Sequence, residues 1–335
     1  MSSRIDKTIA RHQEKIAAGA YYEAHQQLRV IAARYLKQSN YDAAAEILAG
    51  GATALLKAGT QQGASASGGD LAIMLVVDVY NKAEWALSED AAERLINILR
   101  EFPPEEPTRK RYINEMVTWS SKFGEIETGD PEIHHAIGAI YAEENEAYDA
   151  ERHLALGTAD SAEVLGNLEY RWYTYDDAHT AGIYAARAVF PYLLTGNLQN
   201  ANKASMVFRN QLSSSPASQA LGVQDVSSQS NDIRVYPSLP LLNFTNMLLL
   251  AIQRGSPDLF KQLLRHYATY IQEAGDWDQA LAHIGEMYFG IKIPKQSNPL
   301  MDMMGMFFGG GSKSKPLPKP GSTKQVEAPV SMDLD

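Results

Sequence analysis

The fold of this chain is decided by residues 19–37, which read Gly-Ala-Tyr-Tyr-Glu-Ala-His-Gln-Gln-Leu-Arg-Val-Ile-Ala-Ala-Arg-Tyr-Leu-Lys. Gly19 is typical of the end of one helix, and the two tyrosines after it open the next. Ala24, Leu28 and Tyr35 then recur at spacings of four and seven residues, so they share one helical face. The small residues between them let a neighbouring helix approach closely. This pattern is typical of a helical hairpin in a stacked array.

The composition is that of a folded, soluble protein. The 335 residues are 45% hydrophobic and 21% charged, enough for two domains or for one extended array. The sequence has no uncharged apolar run of membrane-spanning length, and its first residues lack the apolar core of a signal peptide. The absence of cysteine excludes disulfides, thiolate metal sites and thiol catalysis. We therefore expect a cytosolic protein.

Charge is distributed unevenly along the chain. The net charge of −10 argues against a general nucleic-acid binder. Residues 1–37 nevertheless carry seven Lys or Arg against three acids, a net charge of +4. The remainder holds 23 basic and 37 acidic residues, a net charge of −14. A basic end on an acidic protein indicates a local docking surface for an acidic partner.

The basic residues of this end follow helical spacing. On the first predicted helix, residues 4–18, four of them recur from Arg4 at intervals of three, four and four, which makes one stripe. A solvated helix face is the ordinary interpretation of such a stripe. On the second helix, however, His25 and Arg29 lie one turn apart and point the same way. Positive charges that lie close together repel one another and lower stability unless an acidic group neutralises them. We therefore interpret them as a cationic patch that binds an acidic partner. The patch is expected to contain Lys7, Arg11, Lys15, His25 and Arg29.

The next segments predict a capped helix, a loop and two acids of interest. Asn40 is a plausible cap for a third helix over residues 40–57. Residues 59–69 are rich in Gly, Ser and Ala without an apolar period and are expected to form a flexible loop. They lack the Gly-Lys-Ser/Thr ending of a phosphate-binding loop. Asp70 is expected to cap a fourth helix, and Asp78 lies eight residues further on, near the same face.

Three histidines and one irregular stretch are the remaining candidates for a functional site. His134, His135 and His153 do not have the spacing of a metal site, because adjacent helical residues point about 100° apart. We expect core or capping roles for them. Alternating β-branched residues around Ile233 predict a short hairpin within 222–240, with a long disordered loop as the alternative. Further helices are expected at 88–101, 108–123, from Asp130, and at about 160–173, 179–195, 197–214, 241–253, 257–271 and 277–289.

A weak repeat links these helices. An aromatic residue or leucine stands three positions before an alanine, just after a turn, at Tyr21, Tyr41, Leu198 and Trp277. The copies are unevenly spaced and follow no full 34-residue consensus. The predicted fold is therefore all-α, a right-handed α-solenoid of degenerate tetratricopeptide-like hairpins with about 14 helices and one short β-hairpin insertion.

Seven segments of the chain are distinctive: Gly19-Ala-Tyr-Tyr-Glu-Ala-His-Gln-Gln-Leu-Arg29, Arg34-Tyr35, Gly51-Ala52, Gly68-Gly-Asp-Leu71, Gly129-Asp-Pro131, Ala150-Glu-Arg-His153 and Leu156-Gly-Thr158. They resemble a known family, the fourth subunit of the fungal guided-entry complex for tail-anchored proteins, whose mammalian counterpart belongs to the transmembrane-recognition complex. The similarity runs from about residue 4 to residue 308.

The resemblance implies a scaffold without enzymatic activity or a cofactor. In that family an N-terminal half, here residues 1–150, holds the targeting ATPase for tail-anchored proteins. A C-terminal half, here residues 151–308, holds a ubiquitin-like partner that recruits a co-chaperone, and the hairpin helps to clasp that partner. Residues 309–335 are expected to be a disordered tail, since their Gly, Ser, Lys and Pro cannot bury a core.

The resemblance also assigns roles to particular residues. The family's basic contacts to the ATPase fall on Lys7, His25 and Arg29, within the patch expected from charge alone. Its acidic regulatory pair falls on Asp70 and Asp78, although the loop before Asp70 is longer here and the match at Asp78 requires a one-residue insertion.

The sequence also bears on two other classes of function. A hydrolase on a helical scaffold is disfavoured, because the chain has no Gly-x-Ser-x-Gly, His-Glu-x-x-His or P-loop motif. A general tetratricopeptide-like adaptor for C-terminal peptides needs a basic clamp across several repeats. Here the basic residues are concentrated at one end.

Overall fold

The computed structural model describes residues 2–215, 221–226, 234–275 and 277–292. Most of these residues lie in α-helices, which confirms the predicted all-α class. The helices are α1 Ser2–Ala17, α2 Tyr21–Lys37, α3 Tyr41–Lys57, α4 Ala64–Met74, α5 Glu89–Leu99, α6 Thr108–Phe123, α7 Pro131–Glu143, α8 Ala147–Leu154, α9 Ala159–Tyr173, α10 Ala181–Leu194, α11 Leu198–Ser214, α12 Pro240–Gln253, α13 Pro257–His266, α14 Ala268–Ala274 and α15 Asp278–Phe289.

The helices stack in sequence order. Most helices pack against their successor, against the helix two positions further on, or against both: α1 contacts α2 and α3, and α3 contacts α4 and α5. Such nearest-neighbour packing is the pattern of a helical solenoid. At the far end α15 returns to α10, where the Tyr288 hydroxyl donates to the Leu193 carbonyl at 3.0 Å and Trp277 packs on Phe190 at 4.9 Å between ring centroids.

The segment that decides the fold packs as its spacing predicts. Gly19 turns the chain with a φ of +82°, and Ala24 and Leu28 are fully buried on the inner face of α2. A Cβ added to Gly51 of α3 would lie 2.7 Å from Leu28 Cδ1, so a larger residue here would force the Leu28 side chain to move. The Asn40 side chain accepts from the Ala43 amide at 3.2 Å and caps α3, which confirms its predicted role.

The prediction of a flexible loop at residues 59–69 is wrong, since α4 begins at Ala64 after a short 3-10 turn. The glycines and serines are interface residues rather than loop residues. A Cβ on Gly68 would lie 2.9 Å from the Leu56 backbone nitrogen, and one on Gly69 would lie 2.0 Å from Thr108 Oγ1. Ser65 donates to the buried Glu106 carboxylate at 2.6 Å. Small side chains here let α4 pack closely on α3 and α6. Because these buried residues are Gly and Ser, the segment lacks the large apolar residues at helical spacing that would predict a helix.

Asp70 does not cap the fourth helix, because it lies in the second turn of α4. The helix continues into a π-helical turn, Leu75–Tyr80, in which Asp78 and Tyr80 lie. π-helical turns within α-helices occur frequently at functional sites. A second boundary also differs from expectation: the single helix predicted for residues 257–271 breaks at Tyr267, whose ring packs 5.6 Å from Phe244.

The predicted hairpin is confirmed as a two-residue antiparallel pair. Strand β1, Gln224–Asp225, pairs with β2, Arg234–Val235. Arg234 donates to Ser213 Oγ at 3.2 Å, so the hairpin is tied to the end of α11. The predicted disordered tail at 309–335 lies outside the described residues.

A candidate docking surface on the first helices

The first two helices are joined by polar contacts across their turn. Lys15 Nζ lies 2.6 Å from Glu23 Oε1 and 3.0 Å from Gln27 Oε1. The hydrogen bond and the charge of Lys15 lower the pKa of Glu23. His12 is buried beneath this network and contacts the Thr8 carbonyl at 2.8 Å and Gln27 at 3.2 Å. Lys15 therefore fixes the hairpin geometry and is already paired within the chain.

A groove of about 560 Å³ lies beside this network on α1 and α2, lined in part by Lys7, Arg11 and Val30. Neither Lys7 nor Arg11 forms an ion pair within 4.0 Å with any side chain that the structure describes. Val30 is 58% exposed and supplies apolar area next to the two charges. Unpaired cations beside exposed apolar surface suit a protein interface with an acidic rim.

His25 and Arg29 meet a carboxylate of this same chain. His25 Nε2 lies 2.8 Å and Arg29 Nη1 lies 3.0 Å from the same oxygen, Oδ2 of Asp70. Arg29 and Asp70 keep 46% and 44% of their side-chain surface exposed, whereas His25 is nearly buried. The spacing of His25 and Arg29 on one face is thus confirmed. Asp70 on α4 neutralises much of the positive charge that they were expected to present.

The second acid of the predicted regulatory pair is held elsewhere. Asp78 Oδ1 accepts from Lys82 Nζ at 2.6 Å, one turn further along the chain. No hydrogen bond or ion pair among the described side chains joins Asp78 to the cationic patch. The structure therefore brings Asp70, but not Asp78, into contact with the predicted anchor.

The predicted patch is smaller than its sequence suggests. Of its five residues, Lys15, His25 and Arg29 form ion pairs within the chain. Lys7 and Arg11 form none within 4.0 Å among described side chains, although the charge of Arg11 helps to lower the pKa of Glu23. Sequence reasoning missed Val30 and His12, although Val30 interrupts the polar face of α2. An apolar residue at a position where helical spacing predicts exposure to solvent is the sequence signal that could have indicated the groove.

A second charged cluster lies in the middle of the stack. Arg187 on α10 donates through Nε to Glu151 at 2.8 Å and lies 3.3 Å from Glu169, which is 0% exposed. Its guanidinium stacks between Tyr148 and Trp172, at 5.1 and 4.9 Å from their ring centroids. Burial, and then the neighbouring Glu151 carboxylate, raise the pKa of Glu169. One arginine thus holds two carboxyl groups, and the raised pKa of Glu169 favours its protonated form.

The histidines behave as core residues. His134 is buried, donates through Nε2 to the Thr128 carbonyl at 2.9 Å, and shares a 3.0 Å contact between Nδ1 atoms with His153. Burial lowers the pKa of both, to about 4 for His153. Within the described ranges, no group of three or more His, Asp or Glu side chains could hold a metal ion. None of the helices described is both long and apolar enough to cross a bilayer.

Sequence comparison identifies relatives over nearly the full length of the chain. A sequence model of the family described as Golgi to ER traffic protein 4 matches residues 38–308. The chain is 68% identical to the Golgi to ER traffic protein 4 of Aspergillus fumigatus, with 100% of each chain covered. It is 33% identical to the protein of that name from Schizosaccharomyces pombe, covering 96% of this chain and 99% of that one. The human homolog is 28% identical over 90% of this chain and 85% of its own length.

Structural comparison agrees with these relatives. The crystal structure of C. therm. Get4 superposes with a TM-score of 0.82 at 48% identity, covering 93% of this chain and 100% of that chain. The family resemblance drawn from the segments around Gly19 and Gly68 is therefore confirmed. The chain belongs to the Golgi to ER traffic protein 4 family.

Proposed function

We propose that this chain is a non-enzymatic cytosolic scaffold for the post-translational targeting of tail-anchored membrane proteins to the endoplasmic reticulum. It bridges a targeting ATPase to a ubiquitin-like protein, which in turn brings a co-chaperone. Membership of the Golgi to ER traffic protein 4 family supports a role in this traffic. The stacked helices support a scaffold, because such arrays present long surfaces to several partners.

The observation that carries the ATPase half of the proposal is the groove on α1 and α2. Lys7 and Arg11 of α1 face it without an ion pair within 4.0 Å among described side chains, and exposed Val30 of α2 lines the same groove. An acidic segment of the ATPase fits this combination of charge and apolar area. Residues 1–150 form the ATPase-binding half in this proposal.

Asp70 gives the site a means of regulation. Its carboxylate already binds His25 and Arg29, so an acidic group of the ATPase must compete with it for those two cations. Binding that separates Asp70 from Arg29 also frees an acid next to the ATPase. The scaffold then favours the ATP-bound, cargo-accepting form only if that form gains more from these contacts than the other form does.

The hairpin supports the second half of the proposal. A groove of about 410 Å³ lies at its base, lined in part by Asn210, Asp225 and Arg234. Hydrogen bonding of Arg234 to Ser213 holds the hairpin against α11. In this proposal residues 151–308 bind the ubiquitin-like partner, and the paired strands form one side of the binding site.

A three-component binding experiment tests the bridge. The full chain is mixed with a purified targeting ATPase and a purified ubiquitin-like partner, and complexes are separated by size-exclusion chromatography with light scattering. The proposal expects one complex that contains all three proteins. Val30→Asp should remove the ATPase from it and leave the ubiquitin-like protein bound. Mutually exclusive binding of the two partners would overturn the bridge.

A further inference from the structure

An aromatic surface crosses three successive helices in the middle of the stack. Tyr148 of α8, Trp172 of α9 and Tyr184 of α10 form a row, in which the ring centroids lie 5.4 Å and then 6.4 Å apart. Tyr175 lies in the turn after α9, where its amide donates to the Trp172 carbonyl at 3.0 Å. Tyr148 is 68% exposed and Tyr175 is 84% exposed. We call these four side chains the Trp172 surface.

The rings of this surface are held in place by the chain itself. The Arg187 guanidinium lies 5.1 Å from the Tyr148 ring centroid and 4.9 Å from that of Trp172. The Tyr184 hydroxyl donates to Asp176 Oδ2 at 3.0 Å. Neighbouring exposed aromatic rings mark interaction sites, and Tyr, Trp and Arg are enriched where binding energy is concentrated. Because these rings are already positioned, a partner that binds them loses little side-chain entropy.

The charge around the Trp172 surface favours a cationic partner. Residues 141–190 contain ten Asp or Glu and three Lys or Arg. Arg187 does not offset this excess, because two carboxyl groups of the chain already hold it. Hydrogen bonds from the Asp177 amide and then the Tyr184 hydroxyl lower the pKa of Asp176, so its carboxylate stays ionised. Asp177 is exposed and forms no ion pair within 4.0 Å among the described side chains.

We propose that the Trp172 surface binds a basic segment of a partner protein. Lysine or arginine side chains lie over the exposed rings of Tyr148 and Tyr175 through cation–π contacts, and their methylene groups cover apolar ring area. Asp176 and Asp177 pair with the neighbouring positive charges. An acidic segment would be repelled by the same carboxylates. The surface lies on different helices from the α1–α2 groove, and the inference rests on neither partner of the proposed function.

The Trp172 indole supplies the readout. Full-length protein labelled with ¹⁵N at its indoles gives four signals, from Trp85, Trp119, Trp172 and Trp277. The probe is a blocked peptide of Gly-Lys repeats, compared with versions of the same length that carry acetyl-lysine or glutamate in place of lysine. Acetylation removes the charge of lysine and keeps its stem. We expect a saturable shift of the Trp172 signal with the lysine peptide alone, which weakens as salt rises, while Trp85 and Trp277 do not move.

A pair of double variants tests the role of charge. Asp176→Asn with Asp177→Asn should weaken binding of the lysine peptide about fivefold at low salt. Asp258→Asn with Asp278→Asn makes the same charge change at exposed positions on α13 and α15 and should not alter binding. Equal effects of the two double variants would overturn the proposal, because binding would then depend only on the net charge of the protein.

Two tyrosine variants test the role of the rings. Tyr175→Ala should weaken binding about threefold without lowering the melting temperature, because this side chain is largely exposed. Tyr22→Ala removes another exposed tyrosine, on α2, and should not change binding. Equal responses to the lysine and acetyl-lysine peptides, or unchanged binding by Tyr175→Ala, would overturn the proposal. Dimerisation of the full chain that Tyr175→Ala abolishes would assign the surface to a second copy instead and would also overturn it.

Discussion

His25 Nε2 lies 2.8 Å from Asp70 Oδ2, and this contact ties α2 to α4 across 45 residues of sequence. Arg29 donates to the same oxygen at 3.0 Å. Two of the residues that the family resemblance assigns to anchoring, His25 and Arg29, therefore form one network with Asp70, one of the two that it assigns to regulation. Any change in the position of Asp70 alters the charge that α2 presents.

Asp70→Asn should strengthen ATPase binding. The substitution removes the negative charge that competes for His25 and Arg29, and we expect an affinity gain of about threefold at low salt. It should lower the free energy of unfolding by less than about 1 kcal/mol, since Asp70 is nearly half exposed. Calorimetry and urea denaturation measure the two effects. A weaker complex would mean that Asp70 itself contacts a cation of the ATPase.

Asp78→Asn should separate regulation from affinity. Asp78 is paired with Lys82 and does not contact the patch among described side chains, so binding of the ATPase should change less than about twofold. If the family resemblance assigns its role correctly, the rate of ATP hydrolysis in the complex should change. A phosphate-release assay with saturating scaffold measures this rate. An unchanged rate together with unchanged affinity would remove Asp78 from the site.

The sequence predicted the helices that have strong turn signals and an apolar period. Gly19, Asn40 and the Asp130-Pro131 pair mark their turns or helix starts by local backbone chemistry, which a sequence displays directly. The start of α4 was missed, because its Gly and Ser residues are buried by helices distant in sequence. Local helix propensity does not include tertiary packing, so it cannot predict that a glycine-rich segment forms a helix packed closely against its neighbours.

Gly68→Ala tests that close interface. Alanine is the better helix former, but its Cβ would lie 2.9 Å from the Leu56 backbone nitrogen and 3.0 Å from the Ala52 carbonyl oxygen. We expect a loss of about 1–3 kcal/mol in the free energy of unfolding, as for other overpacked cores. Chemical denaturation of the full chain measures it. In a flexible loop the same change would be neutral or stabilising.

Ala66→Gly provides the matched control on the exposed side of the same helix. Ala66 is exposed in the first turn of α4, where glycine costs up to about 1 kcal/mol through backbone entropy, with no packing contribution. Loss of stability in both variants identifies a packed helix. No effect of Ala66→Gly would contradict a helix that begins at Ala64.

Glu169→Gln should change how stability depends on pH. Burial raises the pKa of Glu169 above the value of 4.5 that it has when unfolded. Between the unfolded and folded values, the native state binds more protons than the unfolded state, so stability falls as pH rises. Glutamine cannot titrate, so the stability of the variant relative to the parent should rise as pH increases from about 5 to 9. Urea denaturation across this range measures the difference, and a difference that does not change with pH would contradict a protonated Glu169.

Glu151→Gln should have the opposite effect in the same cluster. Glu151 carries the charge that meets Arg187, so its removal leaves a partly buried guanidinium without an ionised partner. We expect a loss of about 2 kcal/mol near neutral pH, typical of hydrogen bonds between charged groups. Equal effects of the two substitutions would show that the carboxyl groups share their roles.

The candidate site was only partly predictable from the sequence. Helical spacing correctly placed His25 and Arg29 on one face, because an i, i+4 relation is local. Their neutralisation by Asp70 depends on packing of α2 against α4, which spacing alone does not give. The groove beside Arg11 likewise needs two helices at a fixed angle. The count of charged residues located the cationic surface at the N-terminal end of the chain. The structure showed which of its cations form no close ion pair within the described part of the chain and can therefore bind a partner.

Calorimetric titration of the full chain with a targeting ATPase at two ionic strengths, about 50 and 300 mM, tests the central claim most directly. The unpaired cations of the α1–α2 groove should make binding weaken as salt rises. Arg11→Glu should lower the affinity about tenfold at low salt and flatten the salt dependence, whereas Lys261→Glu on α13, with the same charge change, should do neither. Binding that ignores salt, or equal effects of the two substitutions, would contradict docking by charge.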